Sequence, residues 1–297
     1  FASQGQSVYD LFFAVVRSTK GCKLMRMSGA LVAIAIAIGT ASAHAQRTEL
    51  VSIPTSDGTA LKAYVMRPSG YEKRSPAVIA LHGCSGPLRR NRQRLSSRHR
   101  AWGRILSNAG YLVVFPDSFG SRGHGSLCKV RPRPVRHKDR VQDVQSTILW
   151  LKSRRNVDKN AIGLIGWSNG GTTALHVSTR SFSSSLRQII SFYPGCRRLL
   201  RRSLGPPKTK LGIIMGAADN WTPPGSCLSL AKNWNIPIKL YEGAYHGFDS
   251  PRSRVRVRKG LAFTPGNSGQ AHVGTHYQAR REAIARVLSI LAAELRQ

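Results

Sequence analysis

Acidic side chains are scarce in this sequence. Asp and Glu number 13 against 46 Lys and Arg, a formal charge of +33 on 297 residues. The excess is mainly arginine and runs from the N-terminal third to the last predicted helix, so it defines no single basic tail. Such charge draws anionic partners, nucleic acid, acidic polysaccharide or lipid among them. No recognisable nucleic-acid module accompanies it, which argues against a specific nucleic-acid partner. Nonspecific anionic contact and a plain solvated basic surface both remain open. Metal-ligand spacings are also missing. There is no C-x-x-C, and Gly274 separates His272 from His276, favouring a loop or a frayed helix start over a ligand pair. Neither a metal nor an organic cofactor is expected. No apolar run reaches the roughly 20 residues that span a bilayer, and no internal repeat or linker divides the chain. With 41% hydrophobic residues, the chain can bury one large core.

The N-terminus reads as processing signal rather than fold. Phe1 is not an initiator, and Met25 or Met27 is a plausible start. From there a basic stretch with Arg26 leads to the apolar run Ala30 to Ile38 and then Ala43-His44-Ala45. A basic region, a short apolar region and an A-x-A site describe a secretory signal peptide over 25–45, cut before Gln46. No cysteine follows the cut, which argues against a lipoprotein. Residues 1–24 are an upstream segment that need not be native, and 46–297 form one catalytic domain. The expected location is periplasmic or secreted. Export leaves Cys84, Cys128, Cys196 and Cys227, an even set for an oxidising compartment. Three pairings exist. The expected strand order places Cys84 near Cys128 and Cys196 near Cys227, so those two bridges are favoured.

Periodicity alternates between strand and helix. Leu50 to Ile53 and Leu61 to Met66 form an opening pair around Ser56-Asp57-Gly58. The continuous apolar run 77–81 suits a strand buried on both faces, 111–115 reads as the next buried strand, and 161–165, 189–193, 211–215 and 236–241 read as further strands. Helical faces lie between them, with Val141, Val144, Ile148 and Leu151 in one and Ile284, Val287, Leu288, Leu291 and Leu295 in the last. The fold class is α/β, a mostly parallel central sheet with helices on both faces. The segment 251–274, rich in Arg, Gly and Ser, reads as a long loop near the site or a partly ordered flap.

Ligands of such sheets sit beyond the carboxyl ends of the strands. There the sequence places Gly166-Trp167-Ser168-Asn169-Gly170, a G-x-S-x-G pentapeptide between a strand and a helix. Glycines flanking a tight turn expose the central hydroxyl. A serine hydroxyl needs a histidine to take its proton, and that histidine needs a carboxylate to fix its tautomer. Ser168, Asp219 and His246 occur in the order nucleophile, acid, base that the α/β-hydrolase topology imposes. The backbone N–H of Asn169 and that of Cys84 or Gly83 are the expected oxyanion donors. Asp117 precedes the serine and reads as structural, while Asp143 lies in a helix and should pair with an arginine. Tyr193, Trp221 and Tyr245 are candidates to line an acyl or aromatic pocket, and Arg122 to meet a substrate carboxylate.

From about residue 48 to 295 the chain resembles the dienelactone hydrolase family of α/β-hydrolases. The resemblance rests on Ala80-Leu81-His82-Gly83-Cys84-Ser85-Gly86, Pro116-Asp117-Ser118-Phe119-Gly120, Gly166-Trp167-Ser168-Asn169-Gly170-Gly171, Phe192-Tyr193-Pro194-Gly195-Cys196, Asp219-Asn220-Trp221-Thr222-Pro223 and Tyr245-His246-Gly247-Phe248-Asp249. It implies the triad Ser168, Asp219 and His246. Dienelactone hydrolases proper carry a cysteine nucleophile where this chain has Ser168, and a glutamate in the region where His82 stands. The serine points to general ester or lactone hydrolysis by an exported branch of the family. Acyl transfer on the same triad and an idle basic protein holding an anionic polymer are the alternatives.

Overall fold

The opening strands β1 (Thr48–Pro54) and β2 (Ala60–Met66) pair antiparallel, from Thr48 opposite Met66 to Pro54 opposite Ala60. β3 (Ser75–Leu81), β4 (Leu112–Pro116), β5 (Val157–Trp167), β6 (Gln188–Phe192), β7 (Leu211–Gly216) and β8 (Ile238–Tyr241) complete an eight-stranded sheet in the order β1-β2-β4-β3-β5-β6-β7-β8. β2 meets β4 antiparallel, and every pairing from β4 to β8 is parallel. In this computed structural model the described residues are 48–296 apart from 70, 72, 73, 90–93 and 203. The signal-peptide and upstream assignments for residues 1–45 lie outside them.

The central strands are apolar at consecutive positions because both faces are covered. β4 and β6 are buried at every residue, and β3 at all but one. The covering helices are α1 (Ser97–Asn108), α2 (His137–Lys152), α3 (Asn169–Ser178), the short α4 (Arg197–Arg201), α5 (Gly225–Trp234) and α6 (Tyr277–Leu295). Val141, Val144, Ile148 and Leu151 of α2 are buried, as their spacing predicts. In α6 the buried stripe is Ala279, Ala283, Val287, Leu291 and Leu295, with Ile284 and Leu288 only partly covered.

Segment 251–274 differs from the loop expected of it. It carries its own antiparallel ribbon, β9 (Arg256–Arg258) with β10 (Ala271–Val273), His272 opposite Val257. The alternation Arg254-Val255-Arg256-Val257-Arg258 is a period-2 strand signal, hidden by the arginine-rich composition. Leu261, Ala271 and Val273 from this segment pack on Trp221, Cys84 and Cys128 in a small second core. His272 lies in the ribbon and His276 caps α6 through Nδ1 accepting from the Ala279 N–H, so neither joins a ligand pair.

Both favoured disulfides are present, Cys84–Cys128 and Cys196–Cys227. The Leu127 N–H donates to the Cys84 carbonyl and the Ala262 N–H to the Cys128 carbonyl, so the first bridge joins the loop after β3, the loop before α2 and the ribbon segment.

His99 in α1 is enclosed between Phe115 and Trp167, its ring centroid 5.7 and 5.6 Å from theirs. Nδ1 reaches Ser96 Oγ at 2.7 Å and the Pro87 carbonyl at 3.1 Å. Burial first, and Arg98 second, push its pKa down to about 3. A histidine whose folded pKa lies below its unfolded value of about 6.5 removes stability as pH falls from 6.5 toward the folded pKa, by up to about 1.4 kcal/mol per pH unit. His99→Gln should therefore flatten the fall in urea-unfolding free energy between pH 6.5 and 4. Parallel curves for parent and variant would clear His99 of that role.

Candidate active site

Ser168 lies between β5 and α3 with φ 54° and ψ −115°, a left-handed conformation for a residue with a Cβ. Residues held there cost on the order of 1–3 kcal/mol, so the surroundings must enforce the turn. Two glycines allow it. A Cβ on Gly166 would collide with the Gly170 carbonyl, and one on Gly170 with the carbonyls of Leu81 and His82. The Ser168 N–H donates to the Phe192 carbonyl at 2.9 Å, which fastens the turn to the end of β6.

Asp219 follows β7 and is 2% exposed. Its Oδ1 accepts the Trp221 and Thr222 N–H groups, each at 2.9 Å. Oδ2 lies 3.0 Å from Thr222 Oγ1 and 2.8 Å from His246 Nδ1. A carboxylate only accepts, so Nδ1 carries the imidazole proton. Nε2 then presents its lone pair to Ser168 Oγ, 2.9 Å away. The imidazole is held between Tyr193 and Trp221, with both ring centroids 4.6 Å from its own. Its backbone bridges to Val273, and the Gly274 N–H donates to its carbonyl at 3.3 Å. The ribbon thus braces His246 from outside the sheet.

The expected oxyanion groups lie alongside. Asn169 opens α3, so its N–H is among those that helix geometry leaves without an intrahelical partner. Gly83 approaches closely, and a Cβ there would stand 3.5 Å from Ser168 Cβ. Its carbonyl accepts from His82 Nδ1 at 2.8 Å and from the Gly86 N–H at 3.2 Å, which orients the peptide leading to Cys84. Burial, and then Arg140, push the His82 pKa well below its usual value, so that ring is neutral.

The four substrate-contact candidates divide. Trp221 is buried against His246. Tyr245 is partly exposed and stacks on His272, with centroids 4.9 Å apart. Tyr193 is fully buried and lies behind the imidazole instead of lining an open pocket. Arg122 is not presented to the site, because Asp143 takes it with two bonds at 3.0 and 2.9 Å and Asp57 adds a third at 3.0 Å. Asp143 accordingly pairs with an arginine, as its helical position suggests, and Asp117 accepts the Gly120 N–H in a structural turn. Arg258 of β9, in contrast, lies 5.5 Å from the Trp221 centroid and 3.5 Å from Ser85 Oγ.

This sheet order, with a strained serine between strand and helix and an acid and a histidine after later strands, defines the α/β-hydrolase class. Two solved structures share the fold. A dienelactone hydrolase-like promiscuous phosphotriesterase from metagenomic libraries matches with TM-score 0.61 and 14% identity, over 84% of this chain and 98% of that one. Thermogutta terrifontis esterase 2, phosphoramylated by tabun, matches with TM-score 0.56 and 20% identity, over 83% and 94%. The dienelactone hydrolase family model matches residues 61–295, and the chain belongs to that family of hydrolases. "Probable dipeptidyl-aminopeptidase B" of Penicillium rubens is 30% identical over 134 residues, 44% of this chain and 14% of that protein. The chain thus spans about a seventh of that curated relative.

Sequence reasoning missed the task of Asp249, although the residue stands in the quoted His-Gly-Phe-Asp motif. It is fully buried and gathers three segments. Trp102 Nε1 donates to Oδ2 at 2.7 Å, the Tyr193 hydroxyl donates to Oδ1 at 2.5 Å, and Arg98 Nε lies 3.3 Å from Oδ1. Burial holds the Tyr193 phenol well above its usual pKa, so it remains a donor. Asp249 therefore fixes the tyrosine against which His246 rests. Removing one partner of a buried ion pair costs roughly 3–5 kcal/mol. Asp249→Ala should lose about that much in urea unfolding, and a loss below 1 kcal/mol would show the cluster to be dispensable.

Proposed function

We propose that the chain is an exported serine hydrolase that cleaves a carboxylic ester or lactone through an acyl-enzyme. The observation that carries this reading is the continuous chain of short contacts from Asp219 through His246 to Ser168 Oγ, 2.8 and 2.9 Å. In it His246 Nε2 takes the serine proton as Oγ attacks the acyl carbon, and returns it to the leaving alkoxide. Asp219 keeps Nδ1 protonated and stabilises the imidazolium. The Asn169 N–H and a second N–H, from Cys84 or Gly83, receive the charge that develops on the carbonyl oxygen. Water then repeats the sequence on the acyl-enzyme, with His246 again the base. No metal or organic cofactor is needed for these steps. The two disulfides support an oxidising compartment and so the reading of export.

The peptidase relative makes an amide the second substrate class to offer. Esters are the better first choice, because an alkoxide leaves without the amine protonation that peptide cleavage requires.

The test is hydrolysis of p-nitrophenyl acetate and butyrate by the chain from Gln46. Ser168→Ala should lower kcat/KM by at least about 10⁴-fold, and Asp219→Asn should drop kcat on a similar scale. A fluorophosphonate should add its mass to the parent and leave the alanine variant unlabelled. Equal rates for parent and Ser168→Ala would remove Ser168 as nucleophile. A new ester formed in excess alcohol, in preference to free acid, would turn the reading to acyl transfer.

A further inference from the structure

Arg140 is an unusual residue in so basic a chain, because it is fully buried. It sits in the first turn of α2, and its guanidinium reaches three other segments. Nη2 donates to the His82 carbonyl at 2.8 Å, and Nη1 donates to Asn169 Oδ1 at 2.5 Å. Nε reaches Ser118 Oγ at 3.4 Å, and the ring of Phe119 lies 5.2 Å away. The acid one turn along α2, Asp143, is bonded by Arg122 instead. Among the described residues, the acceptors around Arg140 are therefore neutral. A buried cation held by neutral acceptors is costly, and an apolar residue of similar size would often stabilise a core better. The arrangement calls for a use.

The two principal acceptors belong to the two walls that the proposed reaction needs. His82 precedes Gly83 and Cys84, and Asn169 supplies the N–H at the head of α3. We propose that Arg140 is a positioning residue for the oxyanion hole, setting the separation of its two donor segments through one rigid fork. This inference rests on the serine-hydrolase reading and adds to it a determinant outside the triad.

The physical route is short. In a trans peptide the carbonyl and the following N–H share one plane and point opposite ways. Pinning the His82 carbonyl on Arg140 turns the Gly83 N–H away from the guanidinium. The next plane is pinned as well, because His82 Nδ1 and the Gly86 N–H hold the Gly83 carbonyl. Opposite, the Asn169 side chain is tied to the same guanidinium, so the start of α3 cannot drift from the loop after β3 without breaking a charge-assisted bond. Arginine suits this task and lysine does not, since a planar fork fixes two acceptors where an ammonium offers a point charge. The cation also polarises the His82–Gly83 peptide, which strengthens its N–H as a donor. Burial pushes the Arg140 pKa down to about 9, and the nearby Asp143 and Asp117 carboxylates, which it does not hydrogen-bond, offset that only in part.

The experiment compares Arg140→Lys and Asn169→Ala with the parent, using p-nitrophenyl butyrate and an alkylboronic acid that adds to the serine as a tetrahedral anion. Active-site titration with a fluorophosphonate sets the enzyme concentration. Positioning of the oxyanion hole predicts that Arg140→Lys lowers kcat by about 10- to 100-fold, leaves KM within about twofold and weakens the boronate in step with kcat/KM. Asn169→Ala should move the same quantities by a smaller factor, and the double variant should lose less than the product of the two. Full kcat in Arg140→Lys, or a lower kcat with boronate affinity unchanged per titrated site, would overturn the proposal. If the lysine variant does not fold, Asn169→Ala decides alone, and parental kcat there overturns it too. An active Ser168→Ala would instead unseat the catalytic reading itself, so the two failures are distinguishable.

Discussion

Contact between backbones without side chains governs this site. The turn at Ser168 stays compressed only because Gly170 lies directly against the carbonyls of Leu81 and His82, and Gly166 against Gly170. That contact puts the head of α3 beside the loop after β3, two segments more than eighty residues apart in sequence. The strained serine, the helix N-terminus and the Gly83–Cys84 peptides meet there as one consequence. Any side chain at Gly170 would push them apart and open the turn at the same time.

Around that contact the few acids are stationed where a buried donor needs them. Asp219 takes two backbone N–H groups and His246. Asp249 takes Trp102, Tyr193 and Arg98. Asp143 takes Arg122. In a chain with 13 acidic residues, these three hold His246, the tyrosine behind its ring and the loop after β4. Arg140 stands apart from the exposed positive charge, fully buried and bonded to the His82 carbonyl and Asn169 Oδ1, so it meets the site together with these carboxylates and the glycines.

The elbow, the order of acid and base, and the alternation of strands were legible because each leaves a local pattern. Glycine spacing reports backbone approach, and apolar runs report burial on two faces. The opening hairpin and the two cysteine pairs followed from the same alternation. What escaped depends on contacts between distant segments. Nothing local separates Arg140, buried and bonded to two loops, from Arg136 or Arg133 nearby. Tyr193 and Arg122 look equally available in sequence, and only packing reveals that one backs the imidazole and the other is spent on Asp143 and Asp57. The ribbon did leave a signal, alternating Arg and Val, but the abundance of Arg, Gly and Ser made it resemble a long loop or a partly ordered flap near the site.

The Cys84–Cys128 bridge closes a span of 44 residues that includes α1, β4 and the loop between β3 and α1. A single backbone cut anywhere within that span leaves the two pieces covalently joined. One end of the bridge lies in the loop after β3 beside Ser168, and the other accepts the Ala262 N–H from the ribbon segment. In surroundings rich in proteases, the nicked chain would therefore keep the loop after β3, the ribbon and the sheet in one molecule. A folded protein with two chain ends more than it was made with could still hold its site together.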